Sequence, residues 1–172
     1  PFRVESPDLD ETPMSGESAA RLVARLARAK ADAVARRHPT SWIIGADQVA
    51  VAEGRIIGKP GDGPAAIGQL RATSGRAVTF LTAVCLLRHD PAECLQHLDE
   101  TRVQFRALSE ALIARYVELE KPFDCAGAFK SEGLGITLLE RIESTDPTAL
   151  VGLPLIWLSQ ALARAGVTAL AT

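Results

Sequence analysis

The residues of this chain best suited to chemistry fall in one short stretch, Trp42 to Pro60, WIIGADQVAVAEGRIIGKP. An apolar run, Trp42-Ile43-Ile44, passes through a Gly-Ala pair and delivers Asp47 and Gln48. Val49, Val51, Ile56 and Ile57 then resume β-type character around a turn at Glu53-Gly54, and Arg55, Gly58, Lys59 and Pro60 follow. One segment thus offers an acid, an amide and a cation. A carboxylate at the end of a buried strand is partly desolvated and held by rigid backbone, which suits a general base or a metal ligand. An aspartate that caps a turn is an equal alternative on these residues alone. Lys30, between two alanines, and Lys59, after a glycine, each read singly as a solvated lysine. Asp10 and Glu11 are adjacent in a loop, so their side chains point to different sides. A Mg²⁺ ion takes only one or two carboxylates alongside substrate phosphates, so one acid from this loop would suffice.

The elements that must position these groups follow from periodicity. Phe2-Arg3-Val4 reads as a short strand running into a loop through Pro13. Ser15 or Ser18 can cap a helix whose apolar positions Ala19, Leu22, Val23, Leu26, Ala27 and Val34 recur at three- and four-residue spacing. Pro64 opens a helix ending before Ser74-Gly75. Ala77 to Leu87 is a continuous apolar run, the pattern of a strand buried on both faces, and Cys94 to Phe105 is its hairpin partner. Ser109 caps the next helix. The segment CAGAFKSEGLGI from Cys125 is punctuated by glycine, which predicts irregular backbone lying close to something else. A strand over Ile136 to Ile142, a turn at Val151-Gly152-Leu153-Pro154 and an amphipathic helix from Leu155 to Ala165 close the chain. Strands and helices alternating in a mixed order predict an α/β or α+β fold with a mixed sheet flanked by helices, not a bundle, barrel or sandwich.

Composition narrows the function. At 172 residues the chain is long enough to bury a substantial core as a single domain. A formal net charge of -2 gives no basic surface for duplex nucleic acid. The apolar runs are too short for a membrane span and no secretory leader is present, so a soluble cytoplasmic protein is expected. Cys85, Cys94 and Cys125 show no metal spacing and fit a reducing compartment. The histidines His38, His89 and His97 form no catalytic or metal pattern. There is no GxSxG elbow, GxxxxGK[ST] loop or GxGxxG fingerprint.

A set of ordered motifs adds what periodicity does not. Asp10-Glu11-Thr12, Lys30 in its alanine-rich helix, GADQV at Gly45 to Val49 and GKP at Gly58 to Pro60 come first. Ser74-Gly75, CAGAFKSEG at Cys125 to Gly133, Asp146-Pro147 and VGLP at Val151 to Pro154 follow. In this order, across essentially the whole chain, they resemble the Maf family, septum-formation-inhibitor proteins that act as nucleoside triphosphate pyrophosphatases.

The resemblance implies an elongated sheet with two lobes and a central substrate cleft, a homodimer, and hydrolysis between the α and β phosphates of a nucleotide. It assigns Asp47 as proton acceptor, Lys30 and Lys59 as cations on the phosphates, and Glu11 with Asp47 as ligands of a divalent metal, Mg²⁺ or Mn²⁺. Gln48 and Glu132 occupy the family's specificity positions. Gln with Glu looks like the branch acting on 7-methyl-GTP, whereas Thr with Gln marks the dTTP/UTP branch. Guanine methylated at N7 is cationic, and a carboxylate favours it while accepting from N1–H and N2–H₂. The family's first strand and SxSPRR-type phosphate loop have no counterpart between Pro1 and Thr172. That absence keeps a rival expectation open, a non-catalytic nucleotide-binding regulator of cell division.

Overall fold

In the computed structural model, which describes residues 2–168, three α-helices begin where a capping side chain stands. Ser18 accepts from the Arg21 backbone N–H and starts α1 (Ala19–Ala35). Asp62 accepts from Ala65 at 2.8 Å and starts α2 (Gly63–Thr73), with Pro64 in the first turn where its missing N–H costs nothing. Ser109 does the same for α3 (Glu110–Glu120) through Leu112. α4 (Leu155–Arg164) has no side-chain cap at Pro154. The buried Asp146 supplies one from a distance, accepting from the Ile156 N–H at 2.7 Å.

The sheet has five strands in the order β2-β1-β3-β4-β5: β1 (Ile43–Ala52), β2 (Arg55–Ile57), β3 (Ala77–Arg88), β4 (Glu93–Phe105) and β5 (Leu139–Glu143). Every pairing is antiparallel, which corrects the mixed strand directions expected from the alternation of elements. The cause is the short arm β2. It reverses the chain before α2, so β2 and β3 run the same way but flank β1 instead of pairing with each other.

Two cores form on opposite faces of the sheet. α1 packs Val23, Ala27, Ala31 and Ala35 against Ala83, Cys85 and Leu87. The other face buries Ala50, Val78, Phe80, Val103 and Phe105 under Leu70, Ile113, Tyr116, Val117 and Phe129. Alternate residues of β3 serve the two cores, because side chains along a strand alternate faces. This explains its uninterrupted apolar sequence. Two expected strands differ. Phe2 to Val4 has no strand partner among the described residues, and Phe2 and Val4 are 88% and 83% exposed. β5 begins at Leu139 and not at Ile136, because Leu134–Leu138 is wound into a 3₁₀ segment.

Candidate active site

β2 pairs only with Ala50 to Ala52, so the preceding part of β1 has β3 on one side and no strand on the other among the described residues. Ala46, Asp47 and Gln48 lie on that open edge. They line a cleft of about 280 Å³ together with Lys59, two residues past β2, and residues of the Asp124–Glu132 and Leu150–Gly152 segments. The hairpin turn at Glu53-Gly54 is what returns Lys59 to the same cleft.

Asp47 is held by packing that the sequence encodes at Gly45. A Cβ at Gly45 would lie 2.2 Å from the Ala27 carbonyl oxygen and 2.7 Å from the Ala31 nitrogen, so only glycine lets the α1 backbone touch β1. That approach brings Lys30 Nζ to 2.6 Å from Asp47 Oδ1 and 2.7 Å from Glu11 Oε1. Asp47 is only 10% exposed in its side chain. Burial pushes its pKa above the ordinary 3.8, and the Lys30 ammonium offsets this only in part. For Lys30 burial works against the charge, but the hydrogen bonds its ammonium donates to Asp47 and Glu11 outweigh it and raise its pKa. The site therefore holds a lysine that stays charged and a carboxylate poised closer to neutrality than a free aspartate.

Glu11 arrives from a loop that α1 itself anchors. Arg25, on α1, donates to both oxygens of Glu17 and, through Nη2, to the Thr12 carbonyl. Glu17 also accepts from the Met14 N–H. These contacts hold the Glu17 carboxyl down to about 2, the Arg25 guanidinium contributing most. Neighbouring Asp10 turns the other way and accepts from the Thr12 N–H, as expected for adjacent residues of an extended loop.

Gln48 stands beside Asp47 on β1, and Glu132 lines the same cleft from another segment. Gln48 points its amide nitrogen at Thr82 Oγ1, the Ala149 carbonyl and the Leu150 carbonyl, at 2.8, 2.9 and 3.2 Å. It is thus a clamp that ties the 3₁₀ turn Ala149–Val151 to the sheet, and its carbonyl oxygen makes none of these bonds. Asp146 secures the other side of that turn, accepting from Thr148 N and Oγ1. Burial alone would raise the Asp146 pKa, yet these bonds and the Ile156 N–H lower it. Glu132 is exposed on the loop opposite, lining the cleft with Asp124, Cys125, Lys130 and Ser131.

The structure therefore brings Asp47, Gln48, Lys59 and Glu132 to one cleft, with Lys30 and Glu11 joined to it through Asp47. No pattern in the sequence marks Arg25 and Glu17, which hold the Glu11 loop, or Asp124, which lines the cleft. Arg25 and Glu17 carried no signal because charged residues in and beside an amphipathic helix are ordinarily solvated. Asp124 borders the glycine-rich segment, the one available hint.

The open-edged antiparallel sheet, its two cores and a cleft mixing carboxylates with lysines define an α/β protein built for a charged ligand. The Maf-like protein family model matches residues 1–165, and the chain belongs to the Maf family. A relative from Alcanivorax borkumensis, named 7-methyl-GTP pyrophosphatase, is 53% identical over 166 residues, covering 96% of this chain and 84% of the relative. Relatives of the same name from Pseudomonas aeruginosa and Vibrio vulnificus are 50% and 49% identical, covering 97% and 99% of this chain and 87% of each relative.

Proposed function

We propose that the protein hydrolyses the α–β phosphoanhydride of 7-methyl-GTP, releasing the 7-methylguanosine monophosphate and pyrophosphate. The observation that carries this reading is Asp47: a carboxylate only 10% exposed and of raised pKa, fixed on the open edge of β1 and lining the same cleft as Glu132. Asp47 orients a water molecule and takes its proton as the water oxygen bonds to phosphorus. The bond from the α-phosphorus to the bridging oxygen breaks, and pyrophosphate leaves. Lys59 stabilises charge on the departing phosphates. Lys30 has a different part, since its ammonium already serves two carboxylates: it keeps Asp47 and Glu11 oriented and in register with each other.

Two carboxylates and one ammonium leave that cluster with a net negative charge, which opposes a triphosphate. The two carboxylates fit a hard divalent cation, Mg²⁺ or Mn²⁺, which Glu11 and Asp47 would hold. When bound, such an ion neutralises the phosphates and lowers the pKa of a coordinated water. The base would lie between the apolar Leu150–Val151 wall and Glu132, whose carboxylate favours the cationic 7-methylguanine. The homodimer implied by family likeness and a cytoplasmic location belong to the same proposal, the former checked by light scattering.

Pyrophosphate release from 7-methyl-GTP, GTP, dTTP and UTP tests the reading. The highest kcat/KM is expected for 7-methyl-GTP; a maximum for dTTP or UTP overturns the substrate. Nucleotide binding without turnover on any of them would favour the regulator.

A further inference from the structure

The loop carrying Glu132 is shaped by the last residue of α3. The Glu120 carboxylate accepts from the Leu134 N–H at 2.7 Å through Oε2, and pairs with Lys130 Nζ at 3.3 Å through Oε1. It occupies the place a side chain at position 133 would need: a Cβ on Gly133 would sit 2.5 Å from each of its oxygens. One turn back on the same helix face, the Tyr116 hydroxyl accepts from the Lys130 N–H at 3.1 Å. Tyr116 and Glu120 thus grip the two ends of the Lys130–Leu134 bend, and Glu132 lies between them. Gly135 completes the fold-back, because a Cβ there would meet the Lys130 carbonyl oxygen at 2.3 Å. The Glu120 side chain is 11% exposed, so the pair with Lys130 is shielded on the Glu120 side.

We propose that Glu120 is a positioning residue for substrate discrimination: by binding Lys130 and the Leu134 N–H, it fixes the bend that presents Glu132 to the base. The proposal rests on the functional reading above for its substrate. Its structural consequence stands apart from that reading. Glu120 touches no reacting atom, so its loss should act on selection more than on turnover. Releasing the bend leaves Glu132 present but unplaced, and misplacement of an interacting group by about 1 Å is enough to cost rate.

The test compares Glu120→Ala and Glu120→Gln with the parent enzyme, using Glu132→Gln as a reference. Glu120→Gln keeps a carbonyl acceptor for the Leu134 N–H and gives up the charge facing Lys130, so it folds even if the alanine variant does not. Glu120→Ala is expected to lower the ratio of kcat/KM for 7-methyl-GTP over GTP by about two- to fivefold, the size of an exposed charge contact, with the loss mainly in KM. Glu120→Gln should fall between parent and alanine. Amide hydrogen exchange over residues 130–134 should speed up in Glu120→Ala. An unchanged ratio in both variants, while Glu132→Gln reduces it, overturns the positioning role and leaves the substrate assignment standing. A parent enzyme with no preference for 7-methyl-GTP overturns the substrate assignment instead, and unchanged exchange at 130–134 then overturns the grip by Glu120 independently.

Discussion

Asp47 and Glu132 line the same cleft but are supported in opposite ways. Asp47 stands on a strand whose neighbour β3 pairs with it from Ile43 to Val51, and α1 lies directly on the preceding Gly45. Glu132 stands on a bend without regular structure, held by side chains reaching from α3. The first arrangement withdraws most of the carboxylate from solvent and shifts its pKa; the second leaves its carboxylate exposed. Proton transfer needs a fixed, desolvated group, whereas recognition of a cationic base needs a placed charge on a surface that different bases can reach. The division of support therefore matches the proposed division of labour between reaction and selection.

The sharpest way to break this comparison is Asp47→Asn. It keeps the side-chain shape and removes the base, so kcat should fall by about 10²- to 10⁴-fold with nucleotide binding retained. Steady-state pyrophosphate release and equilibrium binding check it, and unchanged turnover would remove Asp47 from the reaction. Because the carboxylate must be ionised to accept a proton, the parent enzyme should lose kcat/KM as pH falls through the pKa of Asp47, which burial holds above the ordinary 3.8. The residual activity of Asp47→Asn should lack that limb.

Gly45→Ala attacks the support of the same residue without touching it. The added methyl meets backbone atoms of α1, so the helix must shift, at a cost of about 1–3 kcal/mol. Urea denaturation should register that loss, and activity should drop because Lys30 leaves Asp47. No comparable sensitivity is expected at Gly58, where a Cβ meets nothing within 4 Å.

On the selective side, Glu132→Gln should reduce preference for 7-methyl-GTP over GTP by about fivefold while turnover of GTP changes little. A large fall in kcat for both nucleotides would show that the two walls are not separable. The smallest effect concerns the Glu11 loop. Glu17 has its pKa lowered from 4.5 to about 2 by Arg25, so its stabilisation is present above pH 4.5 and lost as pH falls through 2. Thermal melts across that window should be less steep in pH for Glu17→Gln than for the parent.

Much of this protein is written locally. Ser109, Pro64 and the pair Ser15 or Ser18 announce three helix starts, and hydrophobic periodicity outlines β1, β3 and β4, because capping and amphipathicity act over a few residues. Asp47 is visible as a carboxylate after an apolar run, though it stands in the middle of β1 and not at a strand end, and motif order adds Glu11, Lys30, Lys59, Gln48 and Glu132 as partners. The glycines of CAGAFKSEGLGI declared close approach without saying to what. Only the tertiary structure decided that the sheet is antiparallel throughout, that Gln48 clamps the Ala149–Val151 turn, and that Glu120 fills the space beside Gly133. Each of these depends on contacts between residues far apart in the chain, as between Gln48 and Leu150, and no local preference of either residue records its partner.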